Sequence, residues 1–303
     1  MTTKSFFVDF DDEGIRLDVF LSDCLDDVSR SYIQKLIKDS KVMVHGQIQK
    51  ANYKLKSGDE VVINLPDPVS LDIEGEDIPL DILWEDDDLL FINKPKGLVV
   101  HPAPGHYEGT LVNGLISYLG DNLSSINGVL RPGIVHRIDK DTSGVIVICK
   151  NDVSHRSVAE QLAVHSITRK YYAICNGRLY EDGIVDAPIE RNKNNRLKMC
   201  VAKSGGKHAV THYKVLETFD KYTYVECSLE TGRTHQIRVH MDHINHPLMG
   251  DTVYGNIPCK FKTDGQVLHA GILGLVHPRT GEYIEVKAPL PAYFSNILSI
   301  LKK

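Results

Sequence analysis

No apolar run in this 303-residue chain approaches the ~20 residues that a helical membrane span requires. A helical passage through a bilayer is therefore not expected. The opening MTTKSFFVDFDDEG has a single Lys, early acids and no long apolar stretch, unlike a secretory leader, so a cytoplasmic location is the expectation. No CxxC pair occurs. Cys24, Cys149, Cys175, Cys200, Cys227 and Cys259 are scattered, which fits reduced thiols in strands better than a disulfide frame or a zinc site. Internal repeats and low-complexity tracts are also missing. A net positive charge is missing too: the formal total is −5. Taken alone, that speaks against a nucleic-acid partner.

The total hides an asymmetry. Residues 67–88, DPVSLDIEGEDIPLDILWEDDD, hold ten acids and no Lys or Arg, so the remainder of the chain is at +5. Residues 30–56 hold seven basic residues (Arg30, Lys35, Lys38, Lys41, Lys50, Lys54, Lys56) against one acid, Asp39. A local basic patch is what phosphate binding needs. Within it, Ser29 is a candidate N-cap for a helix whose Ile33, Leu36 and Ile37 share one face, opposite Arg30, Lys35 and Lys38. Short strands follow around the turns His45-Gly46 and Ser57-Gly58-Asp59. The bland alternative is a solvated helix face. Because the charges come from both the helix and the following turn, RNA binding is favoured.

Pro66, Pro68, Gly75 and Pro79 make the acidic stretch look like a linker over 67–84. Beyond it, DLLFINKPKGLVVHP reads as a strand and loop, GTLVNGLISYL as a short helix and GVIVICK as a buried strand. DVSHRSVAEQLAVH reads as a helix capped by Asp152 or Ser154, and TRKYYAICNG as a strand. In YTYVECSLE, Thr223, Val225, Cys227 and Leu229 alternate with their neighbours, which predicts one buried strand face. THQIRVHMDHINHPL changes to helical period, with Ile237, Met241, Ile244 and Leu248 on one side. Many strands with few helices predict an α+β fold on a largely antiparallel mixed sheet with flanking helices.

The charge is densest in VHRIDKDTSGVIVICK, residues 135–150, where a loop with His136, Arg137, Asp139, Lys140 and Asp141 enters an apolar strand. The tetrapeptide DTSG occurs in aspartic proteases, whose two carboxylates share a proton; no second copy exists here. HRID suggests a kinase catalytic loop, but the Gly-rich loop, the Val-Ala-Ile-Lys strand and Asp-Phe-Gly are all absent. His235, His240, His243 and His246 are close in sequence, yet they wind around a helix rather than share a face, so no metal site is expected.

Two resemblances organise the chain. RLDVFL, SRSYIQKLIK and the following V-x-V-x-G, YKLK and GDEV resemble the S4 RNA-binding domain, which assigns residues 1–66 to it. NKPKGLVVHP, RPGIVHRIDKDTSGVIVICK, RKYYAI, LETGRTHQIRVHM and LHA, in that order, resemble the RNA pseudouridine synthases. The similar branch modifies large-subunit ribosomal RNA and carries an N-terminal S4 domain. The resemblance implies a catalytic domain over 85–303. It also implies isomerisation of a flipped uridine, by breaking the N1–C1′ bond and rejoining the base through C5. No atoms enter or leave, so no cofactor is required. The implied partner is structured RNA, a 23S-type ribosomal RNA or large-subunit precursor, bound by a monomer. Transfer RNA is the alternative substrate, and a non-catalytic RNA-binding assembly factor the alternative function.

By the same resemblance Asp139 is the nucleophile or base, Arg238 its basic partner with Arg233 a near alternative, and Tyr171 the ring that stacks on the base and helps remove the C5 proton. Arg137 fills the gap left by the flipped nucleotide. His136 and Arg233 join the RNA contacts, as do Arg30, Lys35, Lys38, Lys54 and Lys56 of the S4 segment. Each has a bland competitor: Asp139 an exposed ion pair, Tyr171 (or Tyr172) strand packing, Arg238 a helical pair with Asp242.

Overall fold

The computed structural model describes residues 2–25, 30–65, 73–102, 106–120, 122–124, 126, 131–195, 198–255 and 257–303. Two compact units divide at Ser70/Leu71.

The first unit holds β1 (Thr2–Phe7), α1 (Leu17–Cys24), α2 (Arg30–Lys38), β2 (Val42–Val44), β3 (Gln47–Ile48) and β4 (Glu60–Leu65). Its sheet runs β1-β4-β2-β3, antiparallel throughout. The helical face Ile33, Leu36 and Ile37 packs with Leu17, Phe20 and Leu21 on Val42, Val61 and Ile63. Lys35 and Lys38 point to solvent, as do Lys54 and Lys56 in the later turn. The proposed cap Ser29 lies outside the described residues. His45 and Gly46 both take positive φ, 48° and 73°, closing β2 onto β3 in a two-residue turn.

The second unit contains β5 (Ile82–Glu85), β6 (Leu89–Lys94), α3 (Leu111–Leu119), β7 (Ser143–Cys149), α4 (Asp152–Ala163), β8 (Thr168–Asn176), β9 (Gly183–Asp186), β10 (Ile189–Arg191), β11 (Met199–Val201), β12 (Val210–Thr218), β13 (Tyr222–Leu229), α5 (Gln236–His243), β14 (Leu268–Val276), β15 (Tyr283–Lys287) and α6 (Ala292–Leu301). The main sheet runs β5-β6-β7-β14-β8-β13-β12-β9, with β15 paired to β14. Every neighbour pair is antiparallel except β7 with β14. β7 sends Val145, Val147 and Cys149 toward Val158 of α4, and Ile146 and Ile148 toward Leu111 and Leu115 of α3. β8 sends Ala173 and Cys175 toward Ile237 and Met241 of α5, and Tyr172 and Ile174 toward Phe294 and Ile297 of α6. The strand thus separates Tyr172 from Tyr171.

Residues 73–84, read as the end of a linker, pack in this second unit. Ile73 and Leu80 lie against the α3 core, and β5 pairs with β6. The Glu76 amide donates to the Asn113 carbonyl at 3.0 Å, and the Glu76 carboxylate accepts from Gly109 N at 2.8 Å. Gly75 lies so close to α3 that a Cβ there would sit 2.9 Å from Ser117 N. Its glycine serves packing, and Glu74, Asp77 and Asp81 lie on the solvent side of the docked segment. Helix α4 is capped by Asn151, whose side chain accepts from Ser154 N, rather than by Asp152 or Ser154, one and three residues further on.

Candidate active site

The loop before β7 is fixed at its backbone first. Thr142 N donates to Asp139 O at 3.1 Å, closing a turn, and Gln266 donates to the Thr142 hydroxyl at 3.1 Å. Lys140 O accepts from Gly97 N at 2.9 Å and from Lys94 Nζ at 3.0 Å. Lys94 is fully buried, and its ammonium also donates to Pro95 O and Leu98 O, both at 2.8 Å. Burial brings it down to about 7, with the charges of Asp141 and Asp139 acting the other way. Lys96 does the same for the next loop, donating to Gly265 O at 3.2 Å, Gln266 O at 3.0 Å and also Thr263 O. At the turn's end Gly144 has φ 116°, and any Cβ would strike the Ala270 carbonyl of β14. The glycine of DTSG is there so that β7 can run parallel beside β14.

This framework separates the two aspartates. Asp141 lies against Gly265, near Lys94 and Lys96. Asp139 enters a cleft lined also by Arg137, Tyr171, Arg233, His235 and Arg238. Its Oδ2 accepts from Arg238 Nη1 at 2.9 Å, across 99 residues of sequence. The helical Arg238–Asp242 pair therefore does not form. Instead Arg238 Nε and Nη2 grip Asp251 at 2.7 and 2.9 Å. Asp251, fully buried at its side chain, also accepts from Val253 N and Tyr254 N. Burial opposes the Arg238 charge, but the hydrogen bonds and charges of Asp251 and Asp139 outweigh it and raise the guanidinium above its ordinary value. The guanidinium stands 5.1 Å from the Tyr254 ring centroid.

His235 completes the ring of contacts. Its Nδ1 lies 2.9 Å from Tyr254 Oη and its Nε2 lies 3.9 Å from Asp139 Oδ1. It takes left-handed backbone, φ 56°, at the start of α5. Burial lowers its imidazole, although Asp139 acts the other way. Gln236 fixes the approach: it donates to Val210 O at 2.9 Å and Thr211 Oγ1 at 3.1 Å, and accepts from Arg233 N at 2.9 Å. Tyr171, on β8, forms the aromatic side of the cleft, and burial raises its phenol.

Sequence reading missed Asp251, Tyr254, His235 and Lys94; the first two sit in MGDTVYG, which carries no periodic signal. His136, expected as an RNA contact, is a structural acceptor. Its Nε2 takes the Val147 N–H of β7 at 3.0 Å, and burial lowers the ring to about 3, so it is neutral. Arg233 donates to His208 O at 2.9 Å and lines the cleft beside Arg137, whereas Arg238 alone bonds Asp139. The histidine group disperses: His240 bonds Thr211 and Ala187 O, and His246 bonds Asn176 O. Among the described residues the one group with metal-ligand spacing is Asp86, Asp88 and His277, where Arg279 and Asn151 already hold Asp88.

A carboxylate held through one oxygen, an aromatic ring and a rim of arginines thus line one cleft. The RNA pseudouridylate synthase family model matches residues 88–243 and the S4 domain model residues 15–61. The chain belongs to the RNA pseudouridylate synthases, an isomerase family, and carries an S4 domain in its first unit. It is 53% identical over 290 residues to the Bacillus subtilis protein YlyB, an uncharacterized RNA pseudouridine synthase, covering 95% of this chain and 94% of that one. It is 42% identical to ribosomal large subunit pseudouridine synthase D of Escherichia coli K12, over 95% of this chain and 91% of that one. Human RNA pseudouridylate synthase domain containing 4 matches in structure with a TM-score of 0.57 at 27% identity, over 73% of this chain and 92% of that one. Among the described residues no helix is long and apolar enough to cross a membrane.

Proposed function

We propose that this chain converts uridine to pseudouridine in large-subunit ribosomal RNA, with Asp139 as the attacking carboxylate. The observation that carries the reading is the Asp139–Arg238 contact at 2.9 Å, inside a cleft walled by Tyr171. Relatives named for the large ribosomal subunit, at 42–44% identity over most of the chain, support ribosomal over transfer RNA. A cytoplasmic monomer bound to structured RNA fits the same reading.

Uridine within a helix is unreachable, so the nucleotide flips into the cleft and Arg137, exposed at its rim, fills the gap. Arg238 orients the Asp139 carboxylate by holding Oδ2, while Oδ1, 3.9 Å from His235 Nε2, is left to act on the nucleotide. Asp139 Oδ1 bonds to C1′ as the N1–C1′ bond breaks, the uracil anion turns against the Tyr171 ring, C5 displaces the carboxylate as the C5–C1′ bond forms, and the C5 proton passes to solvent while N1 takes one up. Because burial keeps the Tyr171 phenol neutral, stacking is the role its position supports best; as a resting base it is weak. Lys35, Lys38, Lys54 and Lys56 supply phosphate contacts from the S4 domain, and positioning rather than base reading is their task.

The test is tritium release from C5-tritiated ribosomal RNA. Asp139→Asn keeps the shape and a hydrogen-bond acceptor but removes the nucleophilic anion, and release should fall to background while RNA binding persists. Release at the wild-type rate from Asp139→Asn would remove the assignment.

A further inference from the structure

Two arginines are buried among the described residues, and their surroundings differ. Arg238 is shared by two carboxylates. Arg169, on β8 two residues before Tyr171 and 8% exposed, has no carboxylate partner. Its Nη2 donates to Glu230 O at 2.9 Å, and its Nε is buried with no hydrogen-bond partner. A Cβ at position 232 would lie 2.6 Å from its Nη1, so Gly232 makes room for the guanidinium. Burying such a charge without a counter-ion costs stability.

Arg169 lines an open cavity of about 540 Å³ beside the Asp139 cleft; Arg137, Tyr171 and Arg233 line both. The remaining polar lining is His136, neutral, and His165; no Asp or Glu lines it. Arg137 and Arg233 also lack carboxylate partners among the described residues. By contrast Arg178 and Arg279 of the same unit each pair with an aspartate. Three neighbouring guanidiniums with no anion of their own form a cradle whose counter-charge has to come from the ligand.

We propose that Arg169, flanked by Arg137 and Arg233, binds a backbone phosphodiester of the RNA strand beside the flipped nucleotide, fixing the strand while the base enters the Asp139 cleft. The proposal rests on RNA being the substrate. The shared wall of the two cavities sets the geometry: Tyr171 faces the base on one side, and Arg169 on the same strand face meets the phosphate on the other.

The experiment uses the full chain and an unmodified transcript of large-subunit ribosomal RNA, with binding measured across a salt series. Arg169→Gln should bind about tenfold more weakly and lower the log–log salt slope by ~0.7–0.9, the value of one phosphate contact. Arg169→Lys should keep the slope, because the charge remains. Ethylation interference on the wild type should reveal a phosphate, within a nucleotide or two of the modified uridine, whose ethylation blocks binding; that signal should vanish in Arg169→Gln. If Arg169 serves only to hold the Glu230 carbonyl, Arg169→Gln loses turnover with the slope intact, and the proposal is overturned. Should Arg169→Gln fail to fold, the wild-type interference pattern decides, and no interfering phosphate near the uridine overturns it. A slope change in Arg169→Gln alongside a wild type that releases no tritium would keep the phosphate site and reject the isomerase reading instead.

Discussion

Arg238 can carry its charge at 5% exposure because Asp251 binds it through two hydrogen bonds and leaves Nη1 free for Asp139. Asp251 is thus a positioning residue: it touches no cleft surface, and it sets where the guanidinium fork points. Removing it strands a buried cation, so Asp251→Ala should lose about 3–5 kcal/mol of stability to urea and, through misplacement of Arg238, on the order of a hundredfold in tritium release. A variant as stable and as active as wild type would show that Asp139 alone fixes Arg238. At this scale the motifs pointed to Asp139, Tyr171 and Arg238, which line one cleft in the fold, with Arg238 rather than Arg233 bonded to Asp139. Asp251, Tyr254 and His235 become partners only when the loop after α5 folds back on it, a contact that no local pattern announces.

Strand β7 shows how one element turns composition into a site. Its start requires Gly144 for the approach of β14, and its middle is held by a neutral imidazole, His136, accepting the Val147 N–H. That hydrogen bond has a pH signature. In the unfolded chain His136 titrates near 6.5, whereas burial lowers it to about 3 in the fold. Between those values the unfolded state binds the extra proton, so stability falls as pH drops through the window. His101, lowered to about 4 by burial first and by Arg131 and Arg137 next, adds to the same limb. In His136→Gln the amide oxygen still accepts from Val147, and urea midpoints from pH 6.5 down to 3 should fall less steeply than in wild type. An unchanged limb would mean that His136 is charged in the fold. Strands β9 to β12 went unread, whereas β6, β7, β8 and β13 and helices α3, α4 and α5 were readable from apolar pattern and helical period, down to the buried face of β13. The docked segment 73–85 was not. Prolines, a glycine and acids signal a linker in one dimension, and only the lodging of Ile73 and Leu80 beside α3 makes it part of the core.

For the whole molecule, a net charge of −5 coexists with RNA binding because charge is segregated by segment. The acids crowd into 67–88, while exposed lysines gather in the S4 domain and carboxylate-free arginines beside the Asp139 cleft. Salt dependence counts phosphates neutralised by local cations and is insensitive to formal charge elsewhere, so the two basic surfaces should contribute separately. Replacing Lys35, Lys38, Lys54 and Lys56 together by Gln should lower the salt slope of RNA binding by ~0.7–0.9 for each phosphate these side chains contact. Tritium release at saturating RNA should change little, because none of the four lines the Asp139 cleft. Asp139→Asn should do the reverse, abolishing release at an unchanged slope. If the quadruple variant kept the wild-type slope, the S4 lysines would be an ordinary solvated face, and the arginines of the second unit would carry the phosphate contacts alone.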